Sequence, residues 1–373
     1  MVTKKRGRKV SRVSRSGKTN KISKAKKRVV SKKKVQVRSP SRFKDSKGSV
    51  LEKEVEFFGK KVDLMRAEMA KVVVGQHRVI EDIMTCLFSD SSVLLEGVPG
   101  IAKTLMIRAM AKTIGCDSKR IQFTADLLPT DITGFVAYSR TKGFFVVKGP
   151  IFTNFVLADE INRAPPKVQS ALIEVMQEKQ VTIGKKTYHL ERPFIIFATE
   201  NPLENRGVYK LPEAQVDRFL FKVIVDYPQQ DEEEQIMDQN ITLKKFEDYK
   251  IKTVASPKDI IKIQELVKKV YVHPKIKKYI TEIVNYTRPS DTNDLKSIKF
   301  VEWGASPRAS INIYLAARAR ALMLGRSYVV PHDVKEVTYN VLRHRVLLNY
   351  HGQVENVKSE DIITEILNKV KVP

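Results

Sequence analysis

Gly97-Val98-Pro99-Gly100-Ile101-Ala102-Lys103-Thr104 follows directly on the apolar run Val93-Leu94-Leu95. The pair reads as a buried strand running into a phosphate-binding loop. In such a loop the backbone N–H groups turn inward toward an anion, and the helix that opens next adds about half a positive charge at its N-terminus. Gly97, Val98, Pro99, Gly100, Ile101 and Ala102 form the cradle. The spacing lets Lys103 reach the β- and γ-phosphates of a nucleotide and sets the Thr104 hydroxyl beside a Mg²⁺ ion. The usual pattern has glycine where Ala102 stands; alanine is the smallest alternative and keeps the close backbone approach. Leu105, Met106, Ile107, Ala109 and Met110 then continue as an apolar helical stretch. An ordinary Gly/Pro turn is the plainer reading of the same loop.

On the N-terminal side, Val55, Phe58, Val62, Leu64 and Met65 begin an amphipathic pattern, Gly75-Gln76 breaks it, and Ile80, Ile83, Met84 and Leu87 resume it. On the C-terminal side, apolar β-like runs recur at Ile121–Thr124, Phe155–Ala158, Phe194–Ala198 and Phe219–Val225, with helical patterns between them. Runs apolar throughout suit parallel strands covered on both faces, and their alternation with helices predicts an α/β fold with a five-stranded parallel sheet. Gly134–Gly149 and Gln180–Leu190 read as two hairpins, which serve either as plain surface loops or as elements that grip a client. From about residue 230 the pattern turns helical. Ser256-Pro257-Lys258-Asp259 reads as an N-cap, a first-turn proline and an acidic third residue. Further helices start near Pro274, Pro307, Pro331 and Ser359, and Gly325 ends the one from Pro307. The expected organisation is an arm over 1–48, an α/β nucleotide-binding domain over 49–229 and a smaller all-α lid over 230–373.

Phe155-Val156-Leu157-Ala158-Asp159-Glu160 is a second, independent signal: four buried residues end in two carboxylates. At the carboxyl edge of a parallel sheet they face the phosphate loop. Asp159 would hold the Mg²⁺ ion and Glu160 would activate the attacking water as general base. The Phe194–Ala198 run ends in Thr199-Glu200-Asn201-Pro202, where Asn201 either orients that water or merely forms an Asn-Pro turn. Arg218 precedes the last strand; it serves either as a finger into a neighbouring subunit's site or as a partner for Asp217 or Glu213. Arg308 follows Ser306-Pro307 in the first turn of a helix, where a cation opposes the helix dipole unless an anion such as an ATP phosphate lies opposite; a solvated arginine is the alternative.

The 373 residues carry a net charge of +26, and residues 1–50 hold 20 Lys/Arg against one acidic residue, Asp45, so 19 of those charges lie in that stretch. Its few large apolar side chains cannot offset the entropy of ordering it, which predicts a disordered arm. Such an arm attracts nucleic acid and other polyanions through counterion release, unless it is a merely solvated tail or an organellar transit segment. No run of 18 apolar residues exists, so no transmembrane helix is expected. Cys86 and Cys116 read as reduced core thiols of a cytoplasmic protein, and no CxxC or HExxH motif or clustered histidine suggests a bound transition metal.

Taken together, Gly97–Thr104, Asp159-Glu160-Ile161-Asn162-Arg163-Ala164-Pro165-Pro166, Leu211–Phe219 and Gly304–Arg308 resemble the MoxR family of AAA+ ATPases over roughly residues 50–350. The resemblance implies a AAA+ sheet domain with a helical lid, ATP and Mg²⁺ as ligands, and Asp159-Glu160 as the Walker B pair. It further implies Asn201 as sensor 1, Arg218 as arginine finger, Arg308 as sensor 2 and Gln76 beside the adenine. It implies a homo-oligomeric ring, usually a hexamer, acting as a chaperone-like remodeller with von Willebrand A domain partners. Glu200 departs from a common glutamine, Arg206 lies in a usually less basic loop, and the long basic arm is not a general feature of the family. Three functions follow: an ATP-driven remodeller of protein complexes, a nucleic-acid motor using residues 1–48, and a scaffold that uses ATP only to hold its ring. Intact Asp159, Glu160 and Arg218 speak against the last.

Overall fold

The structure is a computed structural model that describes residues 46–98, 100–202, 207–240, 246–290 and 293–373. The expected arm falls almost wholly outside the described residues, as do Pro99 and Arg206. Helices α1 (Ser46–Ala70) and α2 (His77–Phe88) come first, with Gly75 at φ 66° and Gln76 at φ 47° making the break between them. Then β1 (Val93–Glu96), α3 (Lys103–Ile114), β2 (Ser118–Gln122), the short α4 (Pro129–Thr133), and the hairpin β3 (Gly134–Ser139) with β4 (Gly143–Lys148) follow. Next are β5 (Phe155–Asp159), α5 (Pro166–Glu178), the hairpin β6 (Gln180–Ile183) with β7 (Lys186–His189), β8 (Ile195–Glu200), α6 (Glu213–Val216) and β9 (Phe221–Ile224).

The main sheet runs β2-β5-β8-β1-β9 and every pairing in it is parallel. Alternate residues of its strands feed two different cores. Val93, Leu95, Phe155 and Leu157 face α1, α2 and α3, whereas Leu94, Val156 and Ala158 face α5 and the hairpins. That is the two-sided burial that near-continuous apolar runs require. Strand β2 begins three residues before the expected run, because it is the edge strand and only one of its five residues, Ile121, is buried. Its polar residues Arg120 and Gln122 therefore belong to the sheet, in register with Leu157 and Asp159.

The remaining elements are α7 (Gln230–Asn240), α8 (Pro257–Val267), α9 (Pro274–Tyr286), β10 (Val301–Trp303), α10 (Pro307–Met323), α11 (Pro331–Leu342), β11 (Leu347–Leu348), α12 (Tyr350–Val354) and α13 (Ser359–Lys369). The helix starts at Pro257, Pro274, Pro307, Pro331 and Ser359 coincide with the expected signals. Ser256 accepts from the Asp259 N–H at 3.2 Å, and Asp259 accepts from the Ser256 N–H at 2.9 Å, closing a capping box. The helical part also holds one antiparallel pair, β10 with β11, which its local apolar pattern does not announce. Buried residues of α8, α9, α10, α11 and α13 join the same continuous core as α1, α2 and α3. Across that junction Lys61 pairs with Asp259 at 2.7 Å, and Gln264 donates to the Leu87 carbonyl at 2.9 Å. Cys86 and Cys116 are buried free thiols; burial pushes the Cys116 thiol up to about 12 and raises Cys86 as well. Among the described residues, no helix is long and apolar enough to cross a membrane.

Candidate nucleotide site

The loop between β1 and α3 is built by close backbone contacts. A Cβ on Gly97 would meet the Val225 carbonyl oxygen at 2.5 Å, so only glycine lets the loop lie against the end of β9. Gly100 sits at φ 88° and Ala102 at φ 58°, both in the left-handed region. The alanine that replaces the usual glycine therefore adopts a conformation that costs an L-residue about 1–2 kcal/mol. Held strain of this kind concentrates where a backbone must present its N–H groups in one direction. Ala102→Gly is expected to leave stability unchanged or raise it by up to about 1 kcal/mol. Ala102→Val is expected to lower it by more than about 1 kcal/mol, because a branched Cβ fits this region worst. Urea unfolding of the two variants checks this; equal midpoints would show that the loop is not held left-handed.

Two adjoining cavities share Gly100, Ala102 and Leu105. The first, of about 450 Å³, is largely apolar and is lined by Val73, Gln76, Ile101, Tyr227 and Ile236 among others. Gln76 is fixed at its rim by donating from Nε2 to the Asp226 carbonyl at 2.7 Å. The second, of about 340 Å³, is polar and is lined by Lys103, Thr104, Arg120, Asp159, Glu160 and Asn201. An apolar slot joined to a polar one by a phosphate-type loop has the amphiphilic outline of a nucleoside polyphosphate.

Lys103 is the first residue of α3, and its Nζ donates to the Gly97 carbonyl at 2.7 Å. Burial draws its pKa below the usual lysine value, while Asp159 and Glu160 pull it back up. Asp159 ends β5. Its Oδ1 accepts from the Thr199 hydroxyl at 2.5 Å, and its Oδ2 accepts from Arg120 Nη2 at 2.6 Å and Nε at 2.9 Å. Glu160 stands at φ 58°, and its N–H donates to Thr199 Oγ1 at 2.9 Å. Its carboxylate accepts from Gln122 Nε2 at 2.7 Å and lies 3.0 Å from Arg163 Nε. Thr199 thus ties the Asp159 carboxylate and the Glu160 backbone to β8. Asn201, two residues on, is buried at the wall of the same cavity. The neighbouring Glu200 has its pKa raised by burial, with Lys222 opposing and Glu96 reinforcing the shift.

The donor set fits a magnesium ion. Mg²⁺ takes hard oxygen ligands and is usually bound by one or two protein groups, with waters and substrate phosphates completing the shell. Thr104 and Asp159 supply one hydroxyl and one carboxylate at the wall of the polar cavity. Among the described residues there is no cluster of three or more His, Cys, Asp or Glu.

Arg218 and Arg308 lie elsewhere; among the described residues neither lines the two cavities. Arg218, just after α6, is exposed, and among the described residues no hydrogen bond or ion pair engages its guanidinium. Pairing with Asp217 is not how it is used, because Asp217 is taken. Its Oδ1 accepts from Arg345 Nε at 2.6 Å, and its Oδ2 accepts from Ser306 Oγ at 3.3 Å and lies 3.4 Å from Arg308 Nη1. Ser306 precedes α10 at the N-cap position, but its hydroxyl goes to Asp217 and not to a helix N–H. The anion opposite Arg308 in this structure is thus a carboxylate.

Arg345 and the pair Arg120 and Gln122 have no counterpart in the sequence reading. Arg120 and Gln122 become visible only when β2 is placed in register, and Arg345 lies 128 residues from Asp217 with no local signature.

Residues 92–221 match the family model described as "ATPase family associated with various cellular activities (AAA)", and residues 298–366 match the "AAA lid domain" model. The Chaperone MoxR1 of Mycobacterium tuberculosis is 46% identical over 311 residues, covering 82% of this chain and 81% of that protein. Protein MoxR of Methylorubrum extorquens is 28% identical over 81% of this chain and 91% of its own length. A crystal structure from Cytophaga hutchinsonii superposes with a TM-score of 0.82 at 43% identity, covering 88% of this chain and 100% of that one.

Proposed function

Because this chain belongs to the MoxR family of AAA+ ATPases, we propose that it hydrolyses ATP with Mg²⁺ as a ring of identical subunits and uses the energy to remodel or mature partner protein complexes. The observation that carries the proposal is the joined pair of cavities around Gly100, Ala102 and Leu105, with Lys103, Asp159, Glu160 and Asn201 on the polar side. The adenine would occupy the apolar cavity beside Gln76, and the phosphates would lie along the loop with Lys103 at their outer end. Thr104 and Asp159 would hold Mg²⁺, which when bound neutralises charge on the phosphates.

The other residues then take distinct roles. Glu160, placed by Thr199 and Gln122, accepts the proton of the attacking water. Asn201 orients that water. Arg218, exposed on its own subunit, reaches the phosphates of the next one. Arg308 exchanges Asp217 for the terminal phosphate as the helical lid settles. The conclusion that the partner is a protein rests on the similarity to a protein named as a chaperone, and von Willebrand A domain proteins are the first partners to try.

The test is phosphate release by the purified full chain with ATP, in Mg²⁺ and in EDTA, alongside sedimentation with and without ATP. Mg²⁺-dependent turnover that rises with protein concentration as a ring assembles is the expected result. Turnover in the isolated monomer equal to that of the assembled species would overturn the shared-site reading.

A further inference from the structure

Both oxygens of the Asp159 carboxylate are engaged, and by groups of unequal permanence. Oδ1 accepts from the hydroxyl of Thr199, a fully buried residue of β8. Oδ2 accepts twice from Arg120, from Nη2 at 2.6 Å and from Nε at 2.9 Å. The Asp159 side chain is 14% exposed and the Arg120 side chain 53%. Arg120 stands on the edge strand β2, so its guanidinium is already half in water and is readily rehydrated. Asp159 is held at the end of an inner strand. Arg120 is therefore the partner that can leave, and Oδ2 is the oxygen open to exchange.

Arg120 lines the same polar cavity as Lys103, Thr104 and Asp159. Lys103 is turned to the Gly97 carbonyl, so the countercharge on Oδ2 comes from β2 and not from the phosphate loop. A smaller cavity of about 230 Å³ shares Thr104 and Arg120 with the polar one and is also lined by Arg108. The Arg108 guanidinium lies over the Phe246 ring at 4.3 Å and 3.8 Å from Glu247.

We propose that Arg120 is a displaceable counter-ion of Asp159, a positioning residue that competes with the divalent cation for this carboxylate and so sets the cation concentration at which the nucleotide site fills. The proposal rests on the assignment of Thr104 and Asp159 as the groups that hold Mg²⁺. Two charge-assisted hydrogen bonds must be given up before Oδ2 can turn to a cation, and the positive charge beside it opposes a second one. Mg²⁺ itself dehydrates reluctantly, so a half-exposed ion pair is a competitor of consequence. The sign of the consequence is distinctive: removing an arginine from an anion-binding cavity tightens the hold on the metal.

The test is the binding of mant-ADP, a fluorescent nucleotide, to the full chain as Mg²⁺ is raised from an EDTA baseline. Arg120→Ala is expected to lower the Mg²⁺ midpoint by about threefold or more. In EDTA the same variant is expected to bind mant-ADP more weakly, because the bare carboxylate then repels the phosphates. Arg120→Lys keeps the charge without the planar fork and is expected to fall between. Arg108→Ala removes one positive charge beside the same cavities without touching Asp159, and its midpoint is expected within about twofold of wild type. An unchanged midpoint in Arg120→Ala overturns the proposal. A raised midpoint overturns it too and would make Arg120 a ligand of the phosphates. Equal falls in Arg120→Ala and Arg108→Ala also overturn it, since the cause would then be the general field of the site. An unmoved Arg120→Ala midpoint with Mg²⁺ dependence intact in wild type defeats this proposal and leaves the nucleotide site standing. Wild-type binding indifferent to Mg²⁺ defeats the metal assignment and this proposal with it.

Discussion

Glu160→Gln is expected to lower ATP turnover by about 10²–10⁴-fold while ATP still binds. The carboxylate stands at the head of a short relay of contacts: Thr199 Oγ1 accepts from its backbone N–H, and its side chain accepts from Gln122 Nε2 and pairs with Arg163. Glutamine keeps the volume and much of the hydrogen bonding but cannot accept a proton from water. The cradle that binds the phosphates, from Gly97 to Thr104, is untouched by the change. Phosphate release together with equilibrium binding of a fluorescent ATP analogue separates the two effects. Turnover within a few-fold of wild type would remove Glu160 from the role of base. Loss of binding together with turnover would instead assign it to building the site.

The second large effect is one of stability. Arg345 is nearly fully buried, and burial pulls its pKa down to about 10 against the pull of Asp217, so it stays charged at neutral pH. Its guanidinium donates to Asp217 Oδ1 at 2.6 Å, to the Asp217 and Phe219 carbonyls at 2.7 Å each, to the Leu220 carbonyl at 3.3 Å, and to the Val341 carbonyl. Arg345→Ala leaves these acceptors without their donor and Asp217 without its nearest cation. Breaking such a buried pair costs about 3–5 kcal/mol. Arg345→Lys keeps a charge but not the planar fork, and is expected to recover only part of the loss. Denaturant unfolding of the two variants gives the numbers; a loss under about 1 kcal/mol for alanine would mean that water replaces the arginine freely. The carbonyls it holds flank Arg218 on both sides, so a partly stable lysine variant is also expected to turn over ATP more slowly than its nucleotide affinity explains.

The phosphate loop and the Asp159-Glu160 strand end are local patterns, and local patterns survive in a sequence because the chemistry sets both residue type and spacing within a few positions. The helix starts at Pro257, Pro274, Pro307, Pro331 and Ser359 are equally local, since the first-turn proline or capping side chain is the cause of the boundary. The first half of strand β2 was hidden for the opposite reason. An edge strand with one buried residue carries little apolar signal, so the run from Ile121 marked only its end and left out Arg120, which with Gln122 braces the two carboxylates. The Asp217 hub is a product of tertiary folding alone. Ser306, Arg308 and Arg345 meet it from 89, 91 and 128 residues away, and nothing near Arg345 in the chain distinguishes it from any other surface-type arginine.

The seam between α1 and the helical part has a further meaning. Gly59 of α1 approaches Gly325 so closely that a Cβ would stand 3.3 Å from its Cα. Lys61 binds Asp259, and the Lys252 N–H donates to Glu68. The lid is therefore not a cassette. A chimera that borrowed only residues 230–373 from a relative would inherit one half of a mortise joint whose tenon lies near the other end of the chain. The natural unit of exchange is the lid together with α1, and substitutions in either half of that joint are expected to be accepted in pairs.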